Sequence, residues 1–491
     1  MIFRQKNLKQ ILIMTIAILI LTNSFLFFPK KVAIAEIKNN TDSKNNKVVF
    51  GVISDTHIAP KKSNEISRLA KAFEFFNKQK TDAIAVVGDL TDSGKKIDYD
   101  IWNSIKKSTV DNIKLVASMG NHEKDTAALF TECTGDKPNA NYVINGYHFI
   151  TLSPGTGPLD LSTGRGQTQG GADYSYVTNW LKTQLDSAVK EDPKKPIFVF
   201  FHHPMENTYY TTSDCHGYGL STGKDDSFNS VFSHYPQVVA FSGHTHAPNN
   251  NPTSIWQDGG FTAINTSTLS YAGLEKGMIS GSQNPNDAYL VAQAMTVEVN
   301  GSRILIHNYN LVTDRYIPQT WEFDVSSPSS FIYTKTRKRK AKLPVFNHRN
   351  ITINNITDYD ATIKFKQATV PPNNIDDIIE AYKFDIINKK TGNLVTSFKN
   401  WSKYYLDPVP DSISQNIYSL EPSTEYIVKV YAIDAYDNVS NSNLCITFTT
   451  HKSNSINTTP IIYFNVVVLI ICFAYLLIKK LRKNTTEHIN S

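Results

Sequence analysis

The sequence predicts an α/β unit followed by an all-β sandwich and, further on, a helix able to cross a membrane. Three observations predict this. From Lys47 onward, short apolar or β-branched runs alternate with stretches of helical spacing, the pattern of an α/β unit with parallel strand pairing. After about Asp324 the helical periodicity stops, and residues 343–450 show short alternating runs separated by turn clusters, as an all-β sandwich of roughly 100 residues would. Residues 461–478 are an apolar stretch of 18 residues interrupted by one amide, Asn465.

Taken in order, residues 1–35 open with Arg4, Lys6 and Lys9, continue through an apolar run from Ile11 to Phe28, and end in Ala33-Ile34-Ala35. A basic start, an apolar middle and a small-x-small site predict a signal peptide cleaved after Ala35; an uncleaved N-terminal anchor is the competing reading. Residues 36–46 are polar and Asn-rich and read as a flexible leader. Lys47–Ser54, Ala83–Val87, Ile113–Ala117, Ile197–Phe201 and Val238–Phe241 read as strands. Asn64–Lys80, with Ile66, Leu69, Ala70, Phe73 and Phe76 near helical spacing, and Val177–Val189 read as helices. Gly155–Gly171 and Asn207–Asp226 read as loops over the strand ends. The first unit is bounded at 47–325. Residues 326–342 form a basic linker whose run Lys335-Thr-Arg-Lys-Arg-Lys-Ala-Lys342 could bind an anionic wall or surface polymer, although a solvated linker is the simpler reading. Residues 343–450 form the sandwich. In it, Leu420-Glu-Pro-Ser-Thr-Glu-Tyr426 with Val428, Val430 and Ala432-Ile433-Asp434 resembles the latter half of a fibronectin type III module.

At about 1.5 Å per residue the run 461–478 spans roughly 27 Å, enough for a thin hydrocarbon core. Lys479, Lys480, Arg482 and Lys483 follow it, so the positive-inside rule keeps the tail 479–491 in the cytoplasm and the bulk of the chain outside. The expected location is the cell membrane, single-pass, with the first unit on the extracellular side.

The 491 residues carry 41% apolar side chains and a formal charge of +6, which excludes a mostly disordered chain. Residues 1–35 contribute +5 and the tail +3, leaving −2 between them, so no nucleic-acid-binding role is expected from charge. Four scattered cysteines without a CxxC pair offer no thiolate metal site; Cys133 and Cys215 could pair outside the cell or remain buried thiols.

Chemistry concentrates where the predicted strands end. Asp55-Thr-His57 follows the first, Gly88-Asp89-Leu-Thr-Asp92 the second, Gly120-Asn121-His122-Glu123 the third, His202-His203-Pro204 the fourth and Gly243-His244-Thr-His246 the fifth. Strand ends of an open α/β sheet converge on one crevice. Carboxylate, imidazole and amide donors together suit a pair of first-row metals such as Mn, Fe or Zn rather than Ca. Glycines before Asp89, Asn121 and His244 permit close backbone approach. Each residue alone has a blander reading: His202 as a hydrogen-bonded core histidine, Asp92 as a helix cap, and Tyr209, Tyr210 and Tyr218 as loop packing rather than a substrate-facing wall.

These five blocks, in this order, resemble the calcineurin-like metallophosphoesterase family, whose motifs are D-x-H, G-D-x-x, G-N-H-[DE], a lone H and G-H-x-H. The resemblance covers roughly residues 47–310 and implies a four-layer α/β/β/α sandwich. It implies two divalent or trivalent metal ions, one held by Asp55, His57, Asp89 and His246 and the other by Asn121, His202 and His244, with Asp89 bridging. It further implies in-line attack on phosphorus by a hydroxide bridging the metals, with His122 as general acid and Asp92 orienting it. Ser93 stands where phosphoprotein phosphatases of the family have Arg, and no tyrosine stands near Asp92 where purple acid phosphatases have their metal-ligating one. Gly88–Gly94 with His202-His203-Pro204 leans toward the cyclic-nucleotide phosphodiesterase branch. The expected function is therefore surface-anchored hydrolysis of phosphodiester or phosphomonoester bonds, with diesters favoured. The alternatives are an adhesin or wall-binding protein with a non-catalytic head, and a nucleotide-scavenging phosphomonoesterase.

Overall fold

A computed structural model describes residues 35–37, 47–110, 113–123, 127–155, 174–212, 228–274, 284–372 and 375–453. The expected signal peptide but for Ala35, the membrane span 461–478, the basic tail, Cys215, Cys472 and Tyr218 lie outside them. Among the described residues no helix is long and apolar enough to cross a membrane.

Among the described residues, thirteen strands and five α-helices build the first unit. The strands are β1 (Ala35–Ile37), β2 (Lys47–Ile53), β3 (Ala83–Val87), β4 (Lys114–Ser118), β5 (Ala140–Ile144), β6 (Tyr147–Leu152), β7 (Ile197–Phe201), β8 (Val238–Ser242), β9 (Ile255–Trp256), β10 (Thr262–Asn265), β11 (Gln293–Asn300), β12 (Arg303–Asn310) and β13 (Arg315–Asp324). The helices are α1 (Ser63–Gln79), α2 (Lys96–Thr109), α3 (Ala127–Thr134), α4 (Thr178–Glu191) and α5 (Phe228–Phe232). One sheet has the order β13-β12-β11-β2-β3-β4, the other β1-β5-β6-β7-β8-β10-β9. The sheets face each other across a core that holds Phe50, Phe149, Phe198, Phe200 and Phe241, with Phe50 edge-on to Phe149 and Phe198 at ring distances of 4.9 and 4.8 Å. Helices α1 to α3 cover the outer face of the first sheet through Leu69, Phe73, Phe76, Trp102 and Phe130. Helices α4 and α5 cover the second through Leu181, Leu185, Phe228 and Phe232.

Local sequence explains the parts that carry the site. β3, β7 and β8 are five-residue runs buried at every position, as strands covered on both faces must be. The stripe Leu69, Phe73, Phe76 of α1 lies three and four residues apart and is wholly buried. That helix ends at Lys80, whose left-handed backbone returns its N–H to Asn77 and Phe76. The pairings β2–β3–β4 and β6–β7–β8 are parallel. The expectation of parallel pairing is incomplete, however: β11 runs antiparallel to β2 and opens an antiparallel meander through β13. The leader, read as flexible, begins with β1, which pairs parallel with β5.

Among its described residues, the second unit has seven strands in two sheets. β14 (Ile351–Asn354), β15 (Ala361–Lys366) and β18 (Ser412–Ile417) form one; β17 (Leu394–Trp401), β16 (Ile379–Asn388), β19 (Glu425–Asp434) and β20 (Leu444–Thr449) form the other. Alternating buried positions such as Ala361, Ile363 and Phe365 meet Tyr382, Phe384, Val428 and Val430 between them. The basic linker departs from the solvated run expected of it. Residues Thr336–Lys340 form a short helix, α6. Arg337 in it is only 8% exposed. Its guanidinium donates to the carbonyls of Pro252 (2.8 Å) and Ile255 (2.9 Å) and lies against the rings of Tyr333 and Tyr436. A delocalised cation with buried carbonyl acceptors and two aromatic faces is well satisfied inside, so Arg337 joins the two units rather than spacing them.

Near that junction burial, and then the neighbouring Asp434 carboxylate, push the Asp377 carboxyl up to about 7. The folded chain holds this proton more tightly than the unfolded one. The stability it contributes is therefore full below the ordinary value of 3.8 and is lost as pH rises through about 7. Asp377→Asn keeps an acceptor for the N–H groups of Ile378 and Ala435 and removes the charge. The variant is expected to melt a few degrees higher than wild type at pH 8 and no higher at pH 4, read by calorimetry of the full chain.

Candidate metal centre

Each metal-type block sits just beyond a strand end, and the backbone there is unusual. Asp55 (φ 54°), His57 (φ 45°), Asp89 (φ 48°), His244 (φ 68°) and His246 (φ 56°) all adopt the left-handed region. Such conformations cost free energy for non-glycine residues and cluster at functional sites. They persist because neighbouring loops hold them. Asp55 N–H donates to Gly88 O (3.2 Å), His57 N–H to Asp89 O (3.0 Å) and Ile58 N–H to Leu90 O (3.1 Å), which carries the β2–β3 pairing past the strands; Gly243 N–H donates to His202 O (3.0 Å). With residues 55 and 57, like 244 and 246, separated by one residue and both left-handed, both side chains of each pair turn to one side.

Close backbone approach is what two of the glycines provide. A Cβ at Gly120 would collide with the carboxylate and backbone nitrogen of Asp89, and one at Gly243 with Ser54 and Asp55. Gly120→Ala should displace Asp89 by a few tenths of an ångström or more and lower kcat/KM by about 10- to 100-fold, with secondary structure by circular dichroism unchanged.

The side chains meet in two overlapping groups. In the first, His246 Nε2 lies 3.0 Å from Asp55 Oδ1 and 3.2 Å from His57 Nε2. In the second, His202 Nε2 lies 3.1 Å from Asp89 Oδ2, 3.2 Å from Asn121 Oδ1 and 3.2 Å from His244 Nδ1. Asp89 stands between them, its Oδ2 also 3.8 Å from His57 Nε2 and its Oδ1 accepting the His122 N–H at 3.0 Å. Asp55, His57, Asp89, His202 and His246 are buried, while Asn121, His122 and His244 are partly exposed. His57, Asp89, Asn121, His122, His244 and His246 border a cavity of about 200 Å³ that Tyr271 and Asn284 also line.

This donor set fits two cations. Ligand atoms of Asp55, His57 and His246 lie within 4.8 Å of one another, as do those of Asp89, His202 and His244. Two pairs of imidazole nitrogens confront each other, an arrangement neutral rings gain from only with a proton or cation between them. The far nitrogens are engaged: Nδ1 of His202 donates to Val87 O (3.0 Å) and Nδ1 of His246 to Tyr271 O (2.9 Å), which leaves Nε2 of both as the lone pair facing the cluster. Burial pushes the Asp55 carboxyl up, but His246 and His202 outweigh it and hold it below the ordinary range. For Asp89, burial is likewise overcome by His202, His57 and His122, and the carboxyl lies well below that range. Burial pushes His57 down, and burial with His203 and His202 pushes His244 well down. His202 opposes the trend: burial would lower it, yet Asp89 and Asp55 raise it to about 9. Ionised acids beside mostly neutral imidazoles are the states that metal ligands require.

Other expectations divide. His122 faces the cluster from the rim, its Nε2 3.9 Å from Asp89 Oδ2. Its Nδ1 donates to Asp92 at 2.5 Å, but to the backbone carbonyl, so the Asp92 carboxylate is not what meets His122. That carboxylate pairs with Lys62 Nζ (2.5 Å) and faces His57 Nδ1 at 3.6 Å. Asp92 does not cap a helix either, since α2 begins after Lys95. Tyr209 and Tyr210 are buried; the first bonds Ser242 (2.8 Å) and the second joins the contact between the two units, so neither is a substrate wall. The aromatic ring at the cavity is Tyr271, 37% exposed, its ring 4.4 Å from that of His246. No motif marks it, and sequence reasoning missed it. Glu123 was visible as the last letter of its block without a role. Its buried carboxylate accepts from Thr91 N–H (2.8 Å), Thr91 Oγ1 (2.7 Å) and Gly120 N–H (2.9 Å). It thereby ties the Asp89 loop to the Asn121 loop.

Two facing mixed sheets with a cluster of acids and histidines at their strand ends define a dimetal phosphoesterase type of domain. Residues 48–248 match the family model described as calcineurin-like phosphoesterase, and this stretch is a calcineurin-like phosphoesterase domain. No curated protein matches the chain. Among solved structures it is similar to a dimetal phosphatase from Danio rerio, at 12% identity over 55% of this chain and 98% of that one, with a TM-score of 0.39. It is also similar to a purple acid phosphatase from yellow lupin (Lupinus luteus), at 12% identity over 56% and 53% of the two chains, with a TM-score of 0.39. At such identities and scores these likenesses say nothing about substrate.

Proposed function

We propose that this protein hydrolyses phosphate esters, diesters in preference to monoesters, at a dinuclear metal centre carried outside the cell on a single C-terminal membrane stem. The observation that carries the catalytic part is the meeting of seven donors from five strand ends in one largely buried cluster. Asp55, His57, Asp89 and His246 would hold one ion, and Asn121, His202 and His244 the other with Asp89 shared; Mn, Fe or Zn suits these donors. When bound, such ions supply positive charge for phosphoryl oxygens and lower the pKa of water.

The chain's own residues do the rest. Val87 O and Tyr271 O fix the tautomers of His202 and His246. His122 is braced at Nδ1 by Asp92 O, which directs Nε2 to the cavity and steadies the protonated ring. From there it would give its proton to the leaving-group oxygen as general acid. The partly exposed Tyr271 offers a flat apolar surface at the same cavity. The preference for diesters rests on the sequence lean of the Gly88 and His202 blocks. The stem rests on the apolar run 461–478 with its basic flank, and the seven-stranded sandwich is read as a fibronectin type III-like module.

Elemental analysis of the purified full chain in detergent tests the metal reading: about two first-row metal ions per chain are expected. Fewer than one, after supply of Mn²⁺ or Zn²⁺, would favour a binding head without catalysis. Chelation followed by re-addition of Mn²⁺ should remove and restore hydrolysis. Faster turnover of bis(p-nitrophenyl) phosphate than of p-nitrophenyl phosphate is expected, and the reverse order would move the reading to a phosphomonoesterase.

A further inference from the structure

The β-sandwich does not hang free of the phosphoesterase domain. Trp401, Tyr404 and Tyr405, in the segment that leaves β17, pack with Ala247, Ala272, Leu274 and Val291 in one buried cluster. Ala247 follows the candidate ligand His246 directly, and Ala272 follows Tyr271 at the cavity. Beside this contact, Asp287 accepts from the Tyr405 hydroxyl at 2.8 Å and from Lys403 Nζ at 3.1 Å. Burial, reinforced by Asp287, pushes the Tyr405 phenol far up, so it remains a donor at any ordinary pH.

From Asp287 the hydrogen bonds run on to the centre. Asp287 heads the tight turn Ala288–Leu290. Ala288 O accepts the Ala272 N–H at 2.9 Å. On either side of Ala272, Tyr271 O accepts from His246 Nδ1 (2.9 Å) and Gly273 N–H donates to His246 O (3.0 Å). Residues 271–273 thus grip His246 by both ring and backbone. The same stretch is held from the opposite side by Arg68 of α1, which donates to the carbonyls of Leu269, Ser270 and Tyr289. The segment is clamped between its own domain and the sandwich, and Asp287 is where the sandwich takes hold.

We propose that the β-sandwich is a positioning part of the metal centre, acting on His246 through a Tyr405–Asp287 latch that fixes residues 271–273. This rests on the dinuclear reading above. A backbone carbonyl that orients a histidine ligand is worth about 10- to 100-fold in metal affinity when disturbed. The latch acts one layer further out, so its loss should cost about tenfold, at the Asp55–His57–His246 group alone. The bonds that tie residues 271–273 to the centre run to the ring and backbone of His246, which belongs to that first group.

The test is calorimetric titration of the metal-stripped full chain with Mn²⁺. Wild type should bind two equivalents. Tyr405→Phe deletes a single oxygen, and Asp287→Asn is isosteric; each should weaken one equivalent about tenfold and leave the other unchanged. Because the two act as one unit, the double variant should weaken it no further than the stronger single variant does. Arg315→Gln breaks another bond across the same junction, to Asp407 at 2.7 Å, which has no path to residues 271–273; it should leave both equivalents as in wild type. Melting temperatures within a few degrees of wild type establish that the variants fold. Two wild-type equivalents that neither latch variant alters would overturn the latch and leave the metal centre standing. Equal weakening of both equivalents, or the same weakening by Arg315→Gln, would reduce the effect to general loosening and also overturn it. A wild type that binds no Mn²⁺ would remove the centre itself and the latch with it.

Discussion

Asp89→Asn should lower kcat/KM by about 10³-fold or more and reduce bound metal from about two ions per chain to one or none. The side chain is buried, takes the His122 N–H on one oxygen and turns the other to His202 at 3.1 Å and His57 at 3.8 Å. It is the only carboxylate among the described residues within 4 Å of an imidazole in each of the two groups apart from Asp55, whose second contact, to His202, is 3.9 Å. An amide keeps the shape and one acceptor, so the fold survives. It would remove the negative charge that offsets two cations and put, in place of an oxygen lone pair, an N–H₂ that cannot ligate a metal and would itself donate to the imidazole lone pairs the metals need. A thousandfold loss corresponds to about 4 kcal/mol of transition-state stabilisation, the share expected of a residue that would be shared by both ions. Steady-state kinetics with metal analysis on the same preparation reads both effects. Retention of two ions with near-normal rate would mean that Asp89 holds neither.

His122→Asn should separate leaving groups. For an alkyl phosphodiester, whose departing alkoxide needs a proton, kcat should fall by about 10²- to 10⁴-fold, the range for a positioned general acid. For a nitrophenyl ester, whose leaving group departs as a stable anion, the fall should stay under about tenfold. Metal content should change little, because the His122 ring stands at the rim, its Nε2 3.9 Å from Asp89 Oδ2 and its ring edge-on to His57, while its Nδ1 is anchored on Asp92 O at 2.5 Å. That anchor also predicts that Asp92→Asn, which keeps the backbone carbonyl, leaves the leaving-group dependence intact. Equal losses for both classes of ester, or loss of metal, would make His122 a ligand instead.

The candidate site was legible because its chemistry is local in sequence. Each block occupies the few residues after one strand, and strands such as β3 and β7 are short, wholly apolar runs that announce themselves. Parallel pairing brings together the ends of β2, β3 and β4 and, separately, those of β7 and β8; the facing of the two sheets joins the two sets. What depends on partners far along the chain was not legible. The meander β11–β13 alternates between buried and exposed positions, but nothing local says that it pairs with β2. Arg337 sits in a basic run that looks like any solvated linker, and only the carbonyls of Pro252 and Ile255 some 80 residues earlier make it interior. Asp92 was read as orienting His122; the atom by which it meets the ring belongs to the backbone, which no motif names. Tyr271, Asp287 and Tyr405 belong to no motif; Tyr271 meets His246 only in the folded first unit, and Tyr405 meets Asp287 only where the sandwich packs against it.

The most direct test of the central claim is anomalous diffraction at the metal absorption edge from crystals of the Mn²⁺-loaded protein. Two peaks are predicted, one among Asp55, His57 and His246, the other among His202, His244 and Asn121, with the Asp89 carboxylate between them. No peak there, or a single ion bound elsewhere on the surface, would contradict a dinuclear phosphoesterase centre.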